Sequence, residues 1–249
     1  MHPCDMRLLL AALMAASLSV CASHAPGGVQ SMNPAADTFV SGANSTSAYG
    51  GAGALEVSAP GLANGEFQSI MKFNLAVAKT AFDTEFGTGL WSVQSATLQL
   101  TSANPNNAIF NANATGAFNV GWMQNDSWLE GAGTPASPTA SPDLTFSLLP
   151  GLLSGSDQSL GSFASPGTNS GSNTFTLTLA SNFVADLLAG GDVSLRVFAD
   201  SGSTSSYLFN SRSFGTAGSR PLLTITAVPE PSAILFGLPG LMLLRRRRF

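Results

Sequence analysis

Apolar and polar residues alternate along much of the chain between Pro26 and Val228. Residues 173–179 read NTFTLTL, which places threonines on one face of a strand and Phe175, Leu177 and Leu179 on the other. Clusters of Gly, Asn, Ser and Pro separate the alternating segments and supply turns. The pattern predicts further strands at residues 37–40, 55–57, 69–75, 95–100, 117–123, 193–200 and 223–227.

One segment breaks the alternation and predicts a short helix. Residues 181–191 begin with Ser181, a residue type that caps helices, and end with two glycines. The apolar side chains of Phe183, Leu187 and Leu188 would share one side of this helix and cover an end of the sheet core. No other segment resembles a long amphipathic helix, which disfavours an α/β enzyme fold.

Residues 131–172 are rich in Gly, Ser, Thr and Pro. This composition predicts a long loop or an excursion at a sheet edge. We expect a linker at residues 26–36 and one all-β domain at residues 37–227, because about 200 residues suit one large β domain better than two ordinary ones.

Charge is scarce and unevenly distributed. Only 10% of the 249 residues are charged, whereas an average globular domain has about 25%. Between Pro26 and Val228, five Lys or Arg residues stand against twelve Asp or Glu residues. Nucleic acid is therefore not an expected partner, because phosphate binding needs clustered cations.

Residues 1–25 have the layout of a secretory signal peptide. An apolar run of 13 residues follows a basic residue, and small residues follow the run. Cleavage by signal peptidase after Ala25 is favoured, and cleavage after Ala22 is the alternative. A lipoprotein signal acylated at Cys21 is disfavoured, because Val20 is bulkier than the residue such a site needs.

Both cysteines and both histidines lie in the first 25 residues, so cleavage after Ala25 would remove them all. A mature chain of that kind has no disulfide, thiol nucleophile, imidazole base or usual zinc ligand. The sequence therefore argues against cysteine proteases, His-dependent triads and zinc hydrolases.

Residues 228–249 read VPEPSAILFGLPGLMLLRRRRF. A helix of their twelve apolar residues would span about 18 Å, short of the roughly 30 Å of a bilayer core. The basic residues would hold this end on the cytoplasmic face and leave the body outside. A basic tail after a short buried helix is the alternative. The segment combines a turn, Pro229, Glu230 and Pro231, with a hydrophobic helix and a basic cluster, Arg245, Arg246, Arg247 and Arg248.

This order of turn, apolar stretch and arginines resembles the PEP-CTERM sorting signal of exported proteins in Gram-negative, often biofilm-forming bacteria. The resemblance implies recognition by an exosortase-type membrane transpeptidase and removal of the hydrophobic tail. The protein would be tethered to the inner membrane before processing and would then reach the cell surface or the extracellular matrix. By this resemblance, the chain is a substrate of a sorting enzyme.

The body contains short motifs in a defined order: Ala36-Asp37-Thr38-Phe39-Val40, Tyr49-Gly50, Met71-Lys72-Phe73-Asn74-Leu75, the SATLQL strand at residues 95–100, Trp128-Leu129-Glu130, the short helix that ends in Gly190, Phe209-Asn210-Ser211-Arg212 and Arg220-Pro221-Leu222-Leu223. This order is similar to that of DNRLRE-type domains, which are jelly-roll modules resembling carbohydrate-binding modules. The resemblance implies a single jelly-roll-like β-sandwich over most of the body. Residues 131–172 depart from the pattern, since they lack the Trp-Asn-Asn-Pro-like segment expected after the Trp-x-Glu element.

Aromatic rings are the expected contacts for a polysaccharide, because the apolar face of a sugar stacks on Trp or Tyr. Trp128 is the candidate for glycan contact, since it follows the polar turn at residues 124–127. The alternative for Trp128 is a ring that caps the core. Trp122 lies within a predicted strand, where a core role is favoured. The other rings considered are Trp91, Tyr49 and Tyr207.

Two carboxylates could hydrolyse a polysaccharide without histidine. Asp126 and Glu130 lie four residues apart, and Asp37 and Asp200 lie near strand ends. Their spacing does not place two of them in one cleft, so solvated loop carboxylates are the favoured interpretation and no catalytic residue or metal ligand is assigned. No cofactor is expected, although the oxygen ligands would allow a structural Ca²⁺ ion without an EF-hand loop.

The threonine row at Thr174, Thr176 and Thr178 raises one further hypothesis, a flat array that orders water or ice. The favoured interpretation is the wet face of a sandwich, because threonine is a good strand residue.

These features predict an exported protein of the cell surface or extracellular matrix, with a binding or structural role in an exopolysaccharide layer and no enzymatic activity. Signal peptidase and an exosortase are the expected processing enzymes, and exopolysaccharide is the expected ligand. One alternative is a polysaccharide-active enzyme that uses a carboxylate pair. Another is a structural matrix protein without a specific glycan ligand.

Overall fold

The computed structural model describes residues 27–103, 116–164 and 171–230. The predicted signal peptide at residues 1–25 lies outside the described residues. So do Pro231, the apolar C-terminal stretch and the arginines at 245–248.

Strands dominate the described residues, as the alternating pattern predicts. Two α-helices are present there, α1 (Ala76–Phe86) and α2 (Ser181–Ala189), with short 3-10 helices at Leu149–Gly151 and Ala217–Ser219. In chain order the strands are β1 (Gly28–Met32), β2 (Ala36–Ser41), β3 (Ala54–Ser58), β4 (Phe67–Asn74), β5 (Trp91–Thr101), β6 (Ala117–Met123), β7 (Gln158–Ala164), β8 (Ser172–Leu177), β9 (Asp192–Phe198), β10 (Ser206–Asn210) and β11 (Leu222–Pro229).

The strands form two antiparallel sheets that enclose one apolar core. The first sheet has the order β1-β11-β5-β8. The second has the order β10-β3-β4-β9-β6-β7, and β2 pairs with β4 beside this path. Side chains from both sheets meet between them, among them the fully buried Leu98 of the first sheet and Phe73, Phe118 and Phe209 of the second. The prediction of an all-β sandwich is therefore confirmed.

Alternation identifies the strands whose inward residues build the core. Leu223, Ile225 and Ala227 of β11 are buried, as predicted. Three strands are missing from the predicted set: β10, β1 in the expected linker at residues 26–36, and β7 in the expected loop at residues 131–172. Strands β1 and β7 are edge strands that each bury a single residue, so their sequences show almost no apolar alternation.

Helix α1 corrects the expectation of a single short helix. It buries only Ala78 and Phe82, and its N-cap residue Leu75 forms no side-chain cap hydrogen bond. Contacts outside the helix hold it in place. The Phe82 and Trp91 ring centroids are 4.9 Å apart, and Trp91 Nε1 donates to Asp83 Oδ1 at 2.9 Å. A helix stabilised in this way leaves little local signal in its sequence.

Helix α2 agrees with the prediction at its C-terminus and differs at its N-terminus. Gly190 ends the helix in the left-handed conformation, with φ at 73°, which glycine adopts without strain. Ser181, the predicted cap, is the first helical residue instead. The capping acceptor is Gln158 Oε1, which receives the backbone N–H of Asn182 at 2.8 Å and of Phe183 at 3.1 Å.

Residues 124–157 fold back over part of the outer face of the second sheet. Trp128, Leu144 and Leu149 of this segment pack on Val40, Ile70 and Met123 in a second, smaller apolar cluster. The fold-back segment carries Trp128 and Glu130 onto the second sheet, where β2 bears the candidate residue Asp37.

Candidate functional site

Asp37, Glu130 and Arg212 come from three distant segments and meet on the second sheet. Arg212 donates to Glu130 through Nε–Oε1 at 2.7 Å and Nη2–Oε2 at 2.5 Å. Asp37 Oδ2 accepts the backbone N–H of Arg212 at 2.6 Å, and the Asp37 N–H donates to Glu130 Oε1 at 3.1 Å. We name these three residues the acid–arginine cluster. It ties β2, the fold-back segment and the chain after β10 to one another.

Burial dominates the electrostatics of this cluster. Asp37 is 1% exposed, and burial raises its pKa from 3.8 to about 7. The N–H of Arg212 acts in the opposite direction, and the charge of Glu130 adds to the rise. The hydrogen bonds to Glu130 raise the pKa of Arg212. Arg212 donates a hydrogen bond to each carboxylate oxygen of Glu130. The cluster is therefore suited to holding the three segments together, which is a structural role.

Two further motif residues, Tyr49 and Gly50, lie beside the acid–arginine cluster. A Cβ atom at Gly50 would lie 2.1 Å from the carbonyl oxygen of Glu130, so the close approach requires glycine. The neighbouring Tyr49 ring stacks on Phe39 of β2, with 4.7 Å between centroids. Residues that are scattered in the sequence thus form one contiguous assembly.

Trp128 is buried, which agrees with the alternative of a ring that caps the core and disagrees with the candidate glycan contact. It is 4% exposed, and its Nε1 donates to Ser194 Oγ at 2.9 Å. Lys72 Nζ lies 4.7 Å from the ring centroid and donates to the Trp128 carbonyl at 2.9 Å. The physical reason is the fold-back of residues 124–157, which presses the ring onto the sheet. A sugar has no free face of Trp128 on which to stack.

The other aromatic candidates are buried as well. Trp122 donates through Nε1 to Asp186 Oδ2 at 2.9 Å, so its polar edge faces α2. Within the described residues, every Trp and Tyr is at most 6% exposed: Trp91, Trp122, Trp128, Tyr49 and Tyr207. These rings therefore offer no stacking platform.

The remaining acidic candidates stand apart from the acid–arginine cluster. Asp200 Oδ2 accepts a hydrogen bond from Asn119 Nδ2 at 2.8 Å. Burial raises the pKa of Asp126, and the charged groups acting on it include Asp186 and Lys72 but not Glu130. Across residues 27–103, 116–164 and 171–230, no group of three or more His, Cys, Asp or Glu side chains could hold a metal ion.

The threonine row belongs to a wider hydroxyl face on the outer side of the first sheet. Cross-strand pairing aligns Ser31, Thr224, Thr97 and Thr176 in one row over four strands. The Ser31 and Thr224 hydroxyls lie 2.8 Å apart, and all four side chains are at least partly exposed. The face is broader than the single row that the sequence shows.

The start of the predicted sorting motif is docked on the sandwich. Pro229 is the last residue of β11 and pairs with Trp91, and the Glu230 N–H donates to the carbonyl of Leu90 at 2.9 Å. At the same end of the first sheet, Gly28 of β1 pairs with Ala227 of β11. The two ends of the described chain therefore leave the sandwich side by side.

In the part of the chain that the structure describes, no helix is both long and apolar enough to cross a membrane. Comparison with known proteins gives no matching family model and no curated protein of significant similarity. Function is therefore inferred from the geometry of this chain itself.

Proposed function

We propose that this chain is an exported protein that an exosortase-type enzyme sorts through its PEP-CTERM-like C-terminal segment. The body would be tethered to the inner membrane before processing and would then reach the cell surface or extracellular matrix. There, a jelly-roll-like sandwich serves a binding or structural role in an exopolysaccharide layer. It acts by retention rather than by catalysis.

The side-by-side exit of the two chain ends carries this proposal. Gly28 and Ala227 are cross-strand partners, so the segments before residue 27 and after residue 230 both join the body at one end of the first sheet. This geometry is compatible with a body that the sorting tail tethers to the inner membrane from one side after the signal peptide has been removed. The opposite end of the sandwich then points away from the membrane.

The acid–arginine cluster supports the resemblance to DNRLRE-type domains. Its members Asp37, Glu130 and Arg212 all belong to the short motifs that carry the resemblance, and Gly50 contacts Glu130 directly. Motifs that meet in space are what a shared fold would produce. The same engagement of the carboxylates weighs against the alternative of a polysaccharide-active enzyme.

A structural matrix component without a specific glycan ligand is the second candidate function. The burial of all five Trp and Tyr rings favours it, since ring stacking is then not the source of glycan affinity. The two candidates share the sorting route and differ in whether the sandwich has a sugar site.

The test is the intact mass and cell fraction of the protein made in its native host. One strain carries the natural motif, and a second carries Pro229→Ala, Glu230→Ala and Pro231→Ala. A third strain with Pro135→Ala and Pro138→Ala, both in an exposed part of the fold-back segment, controls for the loss of prolines elsewhere. We expect loss of the tail mass and outward release in the natural and control strains only. An unchanged tail and location in all three strains would overturn the proposal.

A further inference from the structure

A cavity of about 350 Å³ opens on the outer face of the second sheet, beside the fold-back segment. Its wall includes Asn119 and Gly121 of β6, Arg196 and Phe198 of β9, and Asp157. None of the residues of the acid–arginine cluster lines it. Its size is at the lower end of the range for small-molecule sites, roughly 300 to 1,000 Å³.

Gly121 creates the space. It is the cross-strand partner of Arg196, so a missing side chain at 121 leaves room above the arginine. A Cβ atom at Gly121 would make only ordinary contacts, 3.7 Å to the Gln158 carbonyl oxygen and 3.8 Å to Phe198 Cε1. A side chain at position 121 would therefore cause no clash with the backbone, but it would occupy part of the cavity.

Arg196 is held firmly and keeps donors for a ligand. Its Nε donates to Gln68 Oε1 at 2.7 Å, and its guanidinium carbon lies 4.0 Å from the centroid of the Phe198 ring. Gln68 is itself fixed by Glu66, whose Oε1 accepts from Gln68 Nε2 at 2.6 Å. Among the described residues, no acceptor bonds to Nη1 or Nη2 of Arg196 and no carboxylate forms an ion pair with it. A guanidinium has five N–H donors, so a ligand in the cavity can receive several.

Acceptors surround the same space. Asp157 lines the cavity, and its two carboxylate oxygens each accept one backbone N–H, from Gln124 at 2.9 Å and from Ser154 at 3.0 Å. Each of these oxygens can accept a further hydrogen bond. The wall thus offers fixed donors and fixed acceptors within one small volume.

The local charge selects against an anion. The charges of Glu66, Asp157 and Asp200 act on Arg196 without an ion pair, so the local charge is three carboxylates against one guanidinium. A carboxylate or phosphate group in the cavity would meet this excess of negative charge. Hydroxyl groups suit the site better, because each can accept from Arg196 and donate to Asp157.

We propose that this cavity binds an uncharged sugar unit, held by hydrogen bonds from Arg196 and to Asp157 rather than by a stacked tryptophan. The inference deepens the matrix role proposed above and rests on it for the source of the glycan. The ligand class is a neutral glycan, so binding at this cavity would favour the glycan-binding role over a structural role without a specific ligand.

The experiment measures binding of the purified, folded protein to two neutral polysaccharides, dextran and mannan, and to one anionic polysaccharide, alginate. Affinity electrophoresis gives the ranking, and calorimetry with the corresponding oligosaccharides gives the dissociation constants. Gly121→Val places a branched side chain in the cavity above Arg196, and Arg196→Lys keeps the charge but removes the Nη donors. Gly215→Val is the matched control, because a Cβ atom there has no neighbour within 4 Å.

We expect the natural protein and Gly215→Val to bind a neutral polysaccharide and not alginate. Gly121→Val should weaken binding by roughly tenfold or more with an unchanged melting temperature, and Arg196→Lys should weaken it by a similar factor, as expected for lost charge-assisted hydrogen bonds. Tighter binding to alginate, equal binding by Gly121→Val, or no binding to either neutral polysaccharide would overturn the assignment. Sorting in the native host is measured separately, so failure of this site leaves the sorting result intact.

Discussion

Glu130 and Arg212 are joined by two parallel hydrogen bonds although 82 residues separate them in the chain. The Glu130 side chain is 16% exposed and the Arg212 side chain is 39% exposed, so the carboxylate is shielded while the guanidinium is partly open to solvent. The pair also positions Asp37, whose N–H and carboxylate are both bound by the same two residues.

Replacing Glu130 by glutamine should destabilise the sandwich. The amide keeps the shape but removes the charge that faces Arg212, so we expect the free energy of unfolding to fall by about 1–3 kcal/mol. Urea unfolding measures the change. Lys79→Gln is the control, because the Lys79–Asp83 pair is an i,i+4 pair on α1, and such pairs contribute about 0.3–0.5 kcal/mol. Equal losses in the two variants would contradict a special role for the acid–arginine cluster.

Stability should rise as the pH falls from 8 to 5.5. Burial raises the pKa of both Asp37 and Glu56 to about 7, above the values of 3.8 and 4.5 expected in the unfolded chain. The folded state therefore favours the protonated groups, and the free energy of unfolding decreases as the pH rises through this window. With about 1.4 kcal/mol per pKa unit, each group contributes roughly 2 kcal/mol between pH 5.5 and pH 8, so we expect a difference of roughly 4 kcal/mol for the two groups together.

The control for this pH dependence is the double variant Asp37→Asn and Glu56→Gln. Both replacements are neutral at every pH, so the urea midpoint should become nearly independent of pH between 5.5 and 8. A natural protein that is less stable at pH 5.5 would refute the prediction, as would a double variant that retains the full pH effect.

Trp128 should behave as a core residue. Trp128→Ala removes a ring that is 4% exposed and should cost about 3–5 kcal/mol. Trp128→Phe keeps a ring but loses the hydrogen bond to Ser194, for about 1–2 kcal/mol. Leu129→Ala is the matched control, since Leu129 is 52% exposed and should change stability little. Polysaccharide retention should be unchanged in folded Trp128→Phe, and a selective loss of retention there would restore Trp128 as a glycan contact.

Gln158 should matter more than Ser181 for the start of α2. Gln158→Ala removes the acceptor of two backbone N–H groups, which should cost about 1 kcal/mol, as the loss of a helix cap does. Ser181→Ala removes one hydroxyl contact with Gln158 at 3.2 Å and should cost less. Hydrogen exchange of the amides at 182 and 183 measures the effect at the site. Faster exchange in Ser181→Ala than in Gln158→Ala would favour the sequence-based assignment of the cap.

Alternation predicted the strands because the residues it identifies, such as Leu223 and Ile225, are the same residues that build the core. Alternation does not identify a strand whose position depends on pairing with a neighbouring strand rather than on its own buried residues. Strand β7 buries only Leu160, and its pairing with β6 is invisible in its own residues.

The candidate site is only partly predictable from the sequence, because its contacts form between distant segments. Asp37, Glu130 and Arg212 all belong to the short sequence motifs, yet nothing local shows that they touch, because their contacts depend on how residues 124–157 fold back. The polar turn before Trp128 suggested exposure, but burial depends on the sheet beneath the turn. The sequence signal for Arg196 is weaker still. Arg196 is a single outward cation on β9, and its cross-strand partner on β6 is a glycine.

The place of β11 within the first sheet has a mechanical consequence. Strand β11 lies between β1 and β5, and the chain leaves it at Glu230 along the strand direction. A force applied to that end loads both hydrogen-bonded ladders in shear, so many bonds must break together, and resistance to such a force is set by the rate of unfolding. A force on the N-terminal end loads β1, which is paired on one side only, so a single hydrogen-bonded ladder resists it. A body attached through its C-terminal end would therefore withstand a pull from the surrounding layer better than one attached through its N-terminal end.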